Sequence, residues 1–282
     1  MTSCVPIDEK QEQVQKQPIV QMINISKSFG AVQALKNVNL ELYYGEVLGL
    51  VGDNAAGKST LMKILEGVLP YDNGKILFEG REANIKSPLD ARRLGIEMIF
   101  QDFALCKNMW VAGNIFMGRE PTRGGVIGRF LGILDKQRMI DESEQILKSQ
   151  NVTIGSCRKK VGTLSGGQQQ SIAIARAIGC KARVIIMDEP TASLGVKQAA
   201  RLIELIKRLR DSGVSIIYIS HIMQHVFAVS DRIMVLKTGE KVGEFKTRET
   251  TINEVVRRMI VGKEENRLIR EGNGYELDHQ SL

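Results

Sequence analysis

The nine residues Gly52 to Thr60, GDNAAGKST, decide the fold. Gly52, Gly57, Lys58 and Ser59 stand at the spacing G-x-x-x-x-G-K-[ST] of a phosphate-cradling loop, with Asp53, Asn54, Ala55 and Ala56 between the glycines and Thr60 closing it. Residues 46–52, EVLGLVG, read as a short buried strand that runs straight into the loop. Residues 58–68, KSTLMKILEGV, read as the helix that follows. In that setting the loop's backbone N–H groups and the helix N-terminus wrap the β- and γ-phosphates of a nucleotide. Lys58 adds a point charge there, and Ser59 can ligate Mg²⁺.

Outward from the loop, apolar and β-branched runs of strand length alternate with helical patterns. IEMIF (96–100), VIIMD (184–188), VSIIYIS (214–220) and DRIMVL (231–236) are strands of one sheet. AARLIELIKRLR (199–210) spaces Leu202, Leu205, Ile206 and Leu209 at i, i+3, i+4 and i+7, an amphipathic helix that packs on that sheet. Strand–helix alternation of this kind predicts a mainly parallel α/β core. QMINISKSF (21–29) and NVNLELYY (37–44) predict an antiparallel β flank ahead of it. Between about 105 and 175 strand signals vanish, and DKQRMIDESEQILKSQ (135–150) reads as a helix, so an α-helical subdomain is expected to be inserted there.

The strand 184–188 ends in two carboxylates. Asp188 is placed for the shell of a Mg²⁺ ion, and Glu189 to polarise an attacking water. A polar residue closes two further strands: Gln101 after IEMIF and His221 after VSIIYIS. Strands of a parallel sheet deliver their C-terminal ends to one crevice, so Gln101 could reach the metal or the water, and His221 the γ-phosphate. Phe29 either stacks on an adenine ring or is a hairpin aromatic.

Composition narrows the class. Hydrophobic content of 43% with 25% charged residues is that of a globular chain rather than a disordered one. No apolar run approaches the roughly 18 residues of a membrane span. Cys4, Cys106, Cys157 and Cys180 lack metal or redox spacing and read as free thiols. The net charge of +7 is spread among acids without aromatic interleaving, so nucleic acid is not expected as a partner. Residues 1–18 read as a solvated lead-in, 19–262 as one ATPase-type domain, and 263–282 as a polar tail.

A second glycine loop, Leu164-Ser165-Gly166-Gly167-Gln168, precedes the apolar run SIAIARAIGC (171–180). Phosphate loop, Gln101, LSGGQ, VIIMDEP and His221 together resemble, in order and spacing, the ATP-binding cassette (ABC) ATPases, over about residues 20–245. The resemblance implies a P-loop NTPase whose cofactors are ATP and Mg²⁺. It makes Phe29 the adenine-stacking aromatic, 52–60 the Walker A loop and Gln101 the Q-loop glutamine, which reaches the metal. Leu164 to Gln168 become the signature, Asp188 the Walker B aspartate, Glu189 the catalytic glutamate and His221 the switch histidine. Two such domains pair head to tail, so that the signature of one closes over the ATP held by the other. That is why one chain needs two glycine loops.

QDFALCKNMWVAGNIFMGRE (101–120) and PTASLGVKQ (190–198) resemble the wording of the monosaccharide importers of the ribose, xylose and fructose type. With one copy of each motif, the chain resembles their single-cassette members, which work as homodimers. The implied partners are a second copy, multispanning permease subunits and, indirectly, a periplasmic or extracellular sugar-binding protein. The implied location is the cytoplasmic face of the bacterial inner membrane, peripherally bound. The stretch from Phe103 to Trp110 would then border the socket for a permease helix, although Met109 and Trp110 are equally readable as core packing. Alternatives in the same family are an exporter or lipid-transport cassette, or a cassette acting on nucleic acid or ribosomes. Two positions depart from the wider pattern: Ala55 stands where glycine is common, and Gly195 where aspartate is common.

Overall fold

The computed structural model describes residues 17–100, 104–124, 130–150, 152–192 and 194–262. Gln101, Phe103, Cys4 and the tail beyond 262 lie outside them.

Two sheets face each other. The first begins with the hairpin β1 (Pro18–Phe29) and β2 (Val32–Tyr43), and adds β4 (Asn73–Phe78) and β5 (Arg81–Glu82) in the order β2-β1-β4-β5, all antiparallel. The ladder is kinked at Asn24, whose φ of 52° sits in the left-handed region that asparagine tolerates, and the register slips on both sides of β1 there. The second sheet is built from β3 (Val47–Val51), β6 (Ile96–Ile99), β7 (Val184–Asp188), β8 (Ser215–Ile219), β9 (Arg232–Lys237) and β10 (Glu240–Lys246). Its order is β10-β9-β3-β8-β7-β6, parallel throughout except for β10 at one edge.

All five residues of β3 and of β8 are buried, the continuous apolar signature of a parallel strand covered on both faces. Alternate residues serve two cores. Leu48, Leu50, Ile217, Ile219, Met234 and Leu236 face the antiparallel sheet and helix α1 (Lys58–Leu65), which buries Leu61, Met62, Ile64 and Leu65 between the sheets. Helix α2 (Pro88–Arg93), capped by Ser87, leads into β6. Val47, Val51, Ile216, Tyr218, Ile233 and Val235 face the other way. There they meet α6 (Val196–Asp211), α7 (Met223–Val229) and α8 (Ile252–Val261). The predicted stripe Leu202, Leu205, Ile206 and Leu209 is the buried face of α6. Each such side chain contributes about 1.5–3 kcal/mol of transfer free energy.

The segment between β6 and β7 is helical, as its sequence predicts. It holds α3 (Val111–Ile115), α4 (Lys136–Ser149) and α5 (Gly166–Gly179) around a third core of Val111, Ile115, Met139, Leu147 and Val161. Asn114, fully buried, clamps the entry loop: Oδ1 accepts from the Cys106 N–H (2.8 Å), and Nδ2 donates to the Cys106 and Trp110 carbonyls. Trp110 packs against this core beside Gly113. Helix α5 belongs to two cores at once. Ile172 and Ala175 enter the helical one, while Ala173, Ile174 and Ala177 enter that of the parallel sheet.

Candidate functional site

The phosphate loop leaves the C-terminal end of β3, the strand flanked by β8 and β9. Gly52 turns it with φ 152°, and a Cβ there would collide with the Leu236 carbonyl of β9. Only glycine fits that approach. A Cβ on Gly57, at φ 100°, would lie 2.8 Å from the Ala34 carbonyl of β2, so the β1–β2 hairpin is seated on the loop. Ala55, at φ 65°, holds a left-handed backbone with an ordinary side chain. Lys58 folds back over the loop, its Nζ donating to the carbonyls of Gly52 (2.6 Å) and Asp53 (2.9 Å). Burial lowers the Lys58 pKa, and the charges of Glu189, Asp188 and Asp53 oppose that shift. Ser59 and Thr60 lie in the first turn of α1.

Across from Lys58, β7 ends at Asp188 and the chain turns sharply at Glu189, φ 48°, whose N–H donates to the Ile219 carbonyl of β8 (3.0 Å). Burial raises the Asp188 pKa, and the neighbouring Glu189 charge adds to it, against Lys58 and Lys63. His221, two residues beyond β8 and largely exposed, brings Nδ1 to 2.9 Å from Glu189 Oε2. That distance suits an ion pair, but the alignment is not that of a hydrogen bond, and no hydrogen bond reaches this buried oxygen from any described residue. The strand ends thus gather Lys58, Asp188, Glu189 and His221 at the mouth of the loop. Phe29 closes β1 at the hairpin tip, half exposed, with Lys27 Nζ 5.7 Å from its ring centre. Gln101 falls outside the described residues.

The second glycine loop is the N-terminus of α5. Ser165 caps it: its Oγ accepts from the Gln168 N–H (3.4 Å), and Gln168 Oε1 accepts in return from the Ser165 N–H (3.1 Å). Leu164 packs on the helical core, and its carbonyl accepts from Gln169 Nε2 (2.9 Å). A Cβ on Gly166 would meet nothing within 4 Å, and one on Gly167 would only touch the end of the Gln198 side chain. Neither glycine has positive φ, so nothing among the described residues requires them. Among the described residues no hydrogen bond joins 164–168 to the phosphate loop. Gly195 caps α6, its carbonyl accepting from the Gln198 N–H (2.9 Å) and its N–H donating to Gln198 Oε1 (3.3 Å).

Sequence reading missed the residues behind this front row. Gln170, buried on α5, donates from Nε2 to the Pro190 carbonyl (2.6 Å), tying the signature helix to the turn that carries Glu189. Next to it His225 Nδ1 lies 3.1 Å from Thr191 Oγ1, which is 3.4 Å from Tyr218 Oη. One signal was present: of the three glutamines 168–170, Gln170 lies three and four residues before Ala173 and Ile174, on the sheet-facing stripe.

A loop of this geometry between a strand of a parallel sheet and its following helix, with acids on a neighbouring strand, defines a P-loop nucleoside triphosphatase fold. The ABC transporter family model matches residues 35–192. The chain belongs to the ABC transporter family. It is 43% identical over 267 residues to the ribose import ATP-binding protein RbsA of Yersinia pestis, covering 95% of this chain and 51% of that protein. It is 39% identical over 250 residues to the fructose import ATP-binding protein FrcA of Rhizobium meliloti, covering 88% of this chain and 96% of that one. The chain therefore spans about half the length of the ribose relatives it matches. Among solved structures it is similar to MJ1267, an ATP-binding cassette of an ABC transporter (TM-score 0.75, 28% identity, 88% of this chain and 100% of that). It is also similar to the dimeric ABC transporter cassette MJ0796 (TM-score 0.68, 26% identity, 82% and 100%).

Proposed function

We propose that this protein binds ATP with Mg²⁺ and hydrolyses it to ADP and phosphate as the energising subunit of a membrane sugar importer. The observation that carries the chemistry is the Glu189–His221 pair, 2.9 Å apart, facing Lys58 and the phosphate loop. In this reading Lys58 leaves the Gly52 and Asp53 carbonyls for the β- and γ-phosphates, and the loop N–H groups hold the rest. Among the described residues no three His, Cys, Asp or Glu side chains gather as a metal cage. A site of one hydroxyl and one carboxylate, completed by phosphate oxygens, suits Mg²⁺. Ser59, Asp188 and Gln101 would hold it. The adjoining carboxylates of Asp188 and Glu189, one with a buried oxygen free of hydrogen bonds, favour a cation there. When bound, the ion neutralises charge on the β- and γ-oxygens.

Glu189 accepts the proton of the attacking water as its oxygen bonds to the γ-phosphorus and the bond to the bridging β–γ oxygen breaks. ADP takes that electron pair. His221 holds the Glu189 carboxylate and the γ-phosphate in line. Phe29 on the hairpin offers its exposed face to adenine.

Gly166, bare toward solvent, and Gly167, faced only by the end of the Gln198 side chain, support a second copy closing its own phosphate loop over this signature; alanine would make the better helix. The dimeric cassette among the similar structures supports the same pairing. The import reading, with permease subunits and indirectly a sugar-binding protein as partners, is supported by the names of the relatives. Among the described residues no helix is long and apolar enough to cross a membrane, which fits a peripheral subunit at the cytoplasmic face of the inner membrane. The domain is taken as 19–262, with the helical insertion at about 105–175.

The test is Glu189→Gln in the permease complex, reconstituted in vesicles. ATP binding should persist while turnover and sugar uptake fall by about 100-fold or more, since positioned acid–base help is lost. The isolated variant should accumulate as an ATP-bound dimer in light scattering. Turnover within a few fold of the parent protein would remove Glu189 from this role.

A further inference from the structure

Behind the first turn of α5 lies a cleft of about 670 Å³, lined by neither the phosphate loop nor Asp188 and Glu189. It opens between the C-terminal end of α4, residues 152–153 and the facing sides of α5 and α6. Buried Ile174, Leu202 and Leu205 give it an apolar base. Its size falls within the range of small-molecule sites.

Gln150 lines this cleft at only 4% exposure, and neither its Oε1 nor its Nε2 has a hydrogen-bond partner among the described residues. An amide buried with both ends unmet is destabilising, and folded proteins keep few of them. Above it stands Arg208, whose Nη2 donates to the Gln150 carbonyl (3.4 Å). Arg201 lines the same wall and makes no ion pair among the described residues. Glu204 is the one acid among the lining residues, so the rim is positive. Gln170 and Gln198 also line the cleft, each committing one end of its amide to backbone.

We propose that this cleft is a second ligand site, for a small hydroxyl-rich organic anion such as a sugar phosphate or a sugar acid. Guanidinium groups take a phosphate or carboxylate in bidentate fashion. The Gln150 amide, with one donor edge and one acceptor edge, meets neighbouring hydroxyls, and the apolar base takes the C–H face of the ring. Ser165, Gly167 and Gln168 line the same space, so an occupant presses on the signature from behind. Gln168 Nε2 already holds the Thr153 carbonyl across the cleft mouth (3.3 Å), and that tie would move with it. The inference concerns binding and does not rest on the ATP-hydrolysing role proposed above.

Titration calorimetry of the full chain with glucose 6-phosphate and with gluconate tests it, with glucose and inorganic phosphate as controls. At least one of the two anions should bind saturably and more tightly than either control. Which of them binds tells phosphate from carboxylate. Arg201→Ala, at an exposed position, and Gln150→Leu should each weaken binding at least about tenfold, the loss expected of one charge-assisted or desolvated hydrogen bond. Lys58→Ala should leave it unchanged. The proposal is overturned if neither anion saturates at millimolar concentration, or if inorganic phosphate binds as well. It is also overturned if Lys58→Ala abolishes binding, or if Gln150→Leu folds more stably and binds the anion with unaltered affinity.

Discussion

Like Glu189 at φ 48°, Ala55 carries residue-scale strain at the site. Its φ of 65° costs an L-residue roughly 1–2 kcal/mol, which glycine does not incur. Ala55→Gly should therefore raise the thermal midpoint by a few degrees in the nucleotide-free protein, and ATP should bind as tightly or more so. A drop in ATP affinity would show that the methyl group is needed against the nucleotide. The strain also marks what sequence reading can reach. That Gly52, Lys58, Asp188, Glu189 and His221 meet at one mouth was legible because each stands at a strand end or in the turn that leaves it. Gln150 and Gln170 were not. Their burial is decided by α6 and by the turn at Pro190, chain that arrives tens of residues later, and the place of Gln170 on the sheet-facing stripe of α5 is the one local sign of it.

At the scale of elements, an exposed triad is one of the ties that pin the antiparallel flank to the parallel core. The β4–β5 turn carries Glu79, which accepts from both Arg183, just before β7, and Tyr44, just after β2 (2.6 Å from Tyr44). Arg183 first, and Tyr44 second, hold the Glu79 pKa down at about 2, from 4.5. A carboxylate whose folded pKa is depressed stabilises the fold above its unfolded value and loses that contribution as pH falls toward the folded one. The urea midpoint should accordingly fall between pH 4.5 and 2 in part through this group. Glu79→Gln should lower the midpoint modestly at pH 7, because the group is partly exposed and screened, and should flatten the acid slope. An unchanged slope would assign acid sensitivity to other carboxylates. Elements differed in legibility for a related reason. The fully buried β3 and β8, and β7, buried as far as Met187, read plainly as apolar runs, whereas β10 (EKVGEFK), at a sheet edge with no buried residue, offers no such run. The Asn24 kink in β1 was likewise invisible, since it answers to partners on both sides.

Across the whole molecule, one helix joins two of the three cores. The class of fold could be foreseen from the alternation of strands and helices, and the helical insertion from the loss of strand signal after 105. How the insertion is anchored could not, because the residues of α5 must be sorted by contacts from both sides. Ile172 and Ala175 face one core while Ala173, Ile174 and Ala177 face the other, so the two bodies have no independent boundary along this helix. The consequence is one of isotope exchange. When the helical part opens on its own, α3 and α4 can release their amide protons to deuterated solvent, but α5 stays pinned to β6 and β7 until the parallel sheet itself comes apart. In native-state exchange the amides of α5 should therefore share the slow, denaturant-sensitive rate of β7 and β8, with α4 a clearly faster set. The loop proposed above to close over a second copy's nucleotide would then ride on the slowest-breathing helix of its own subdomain.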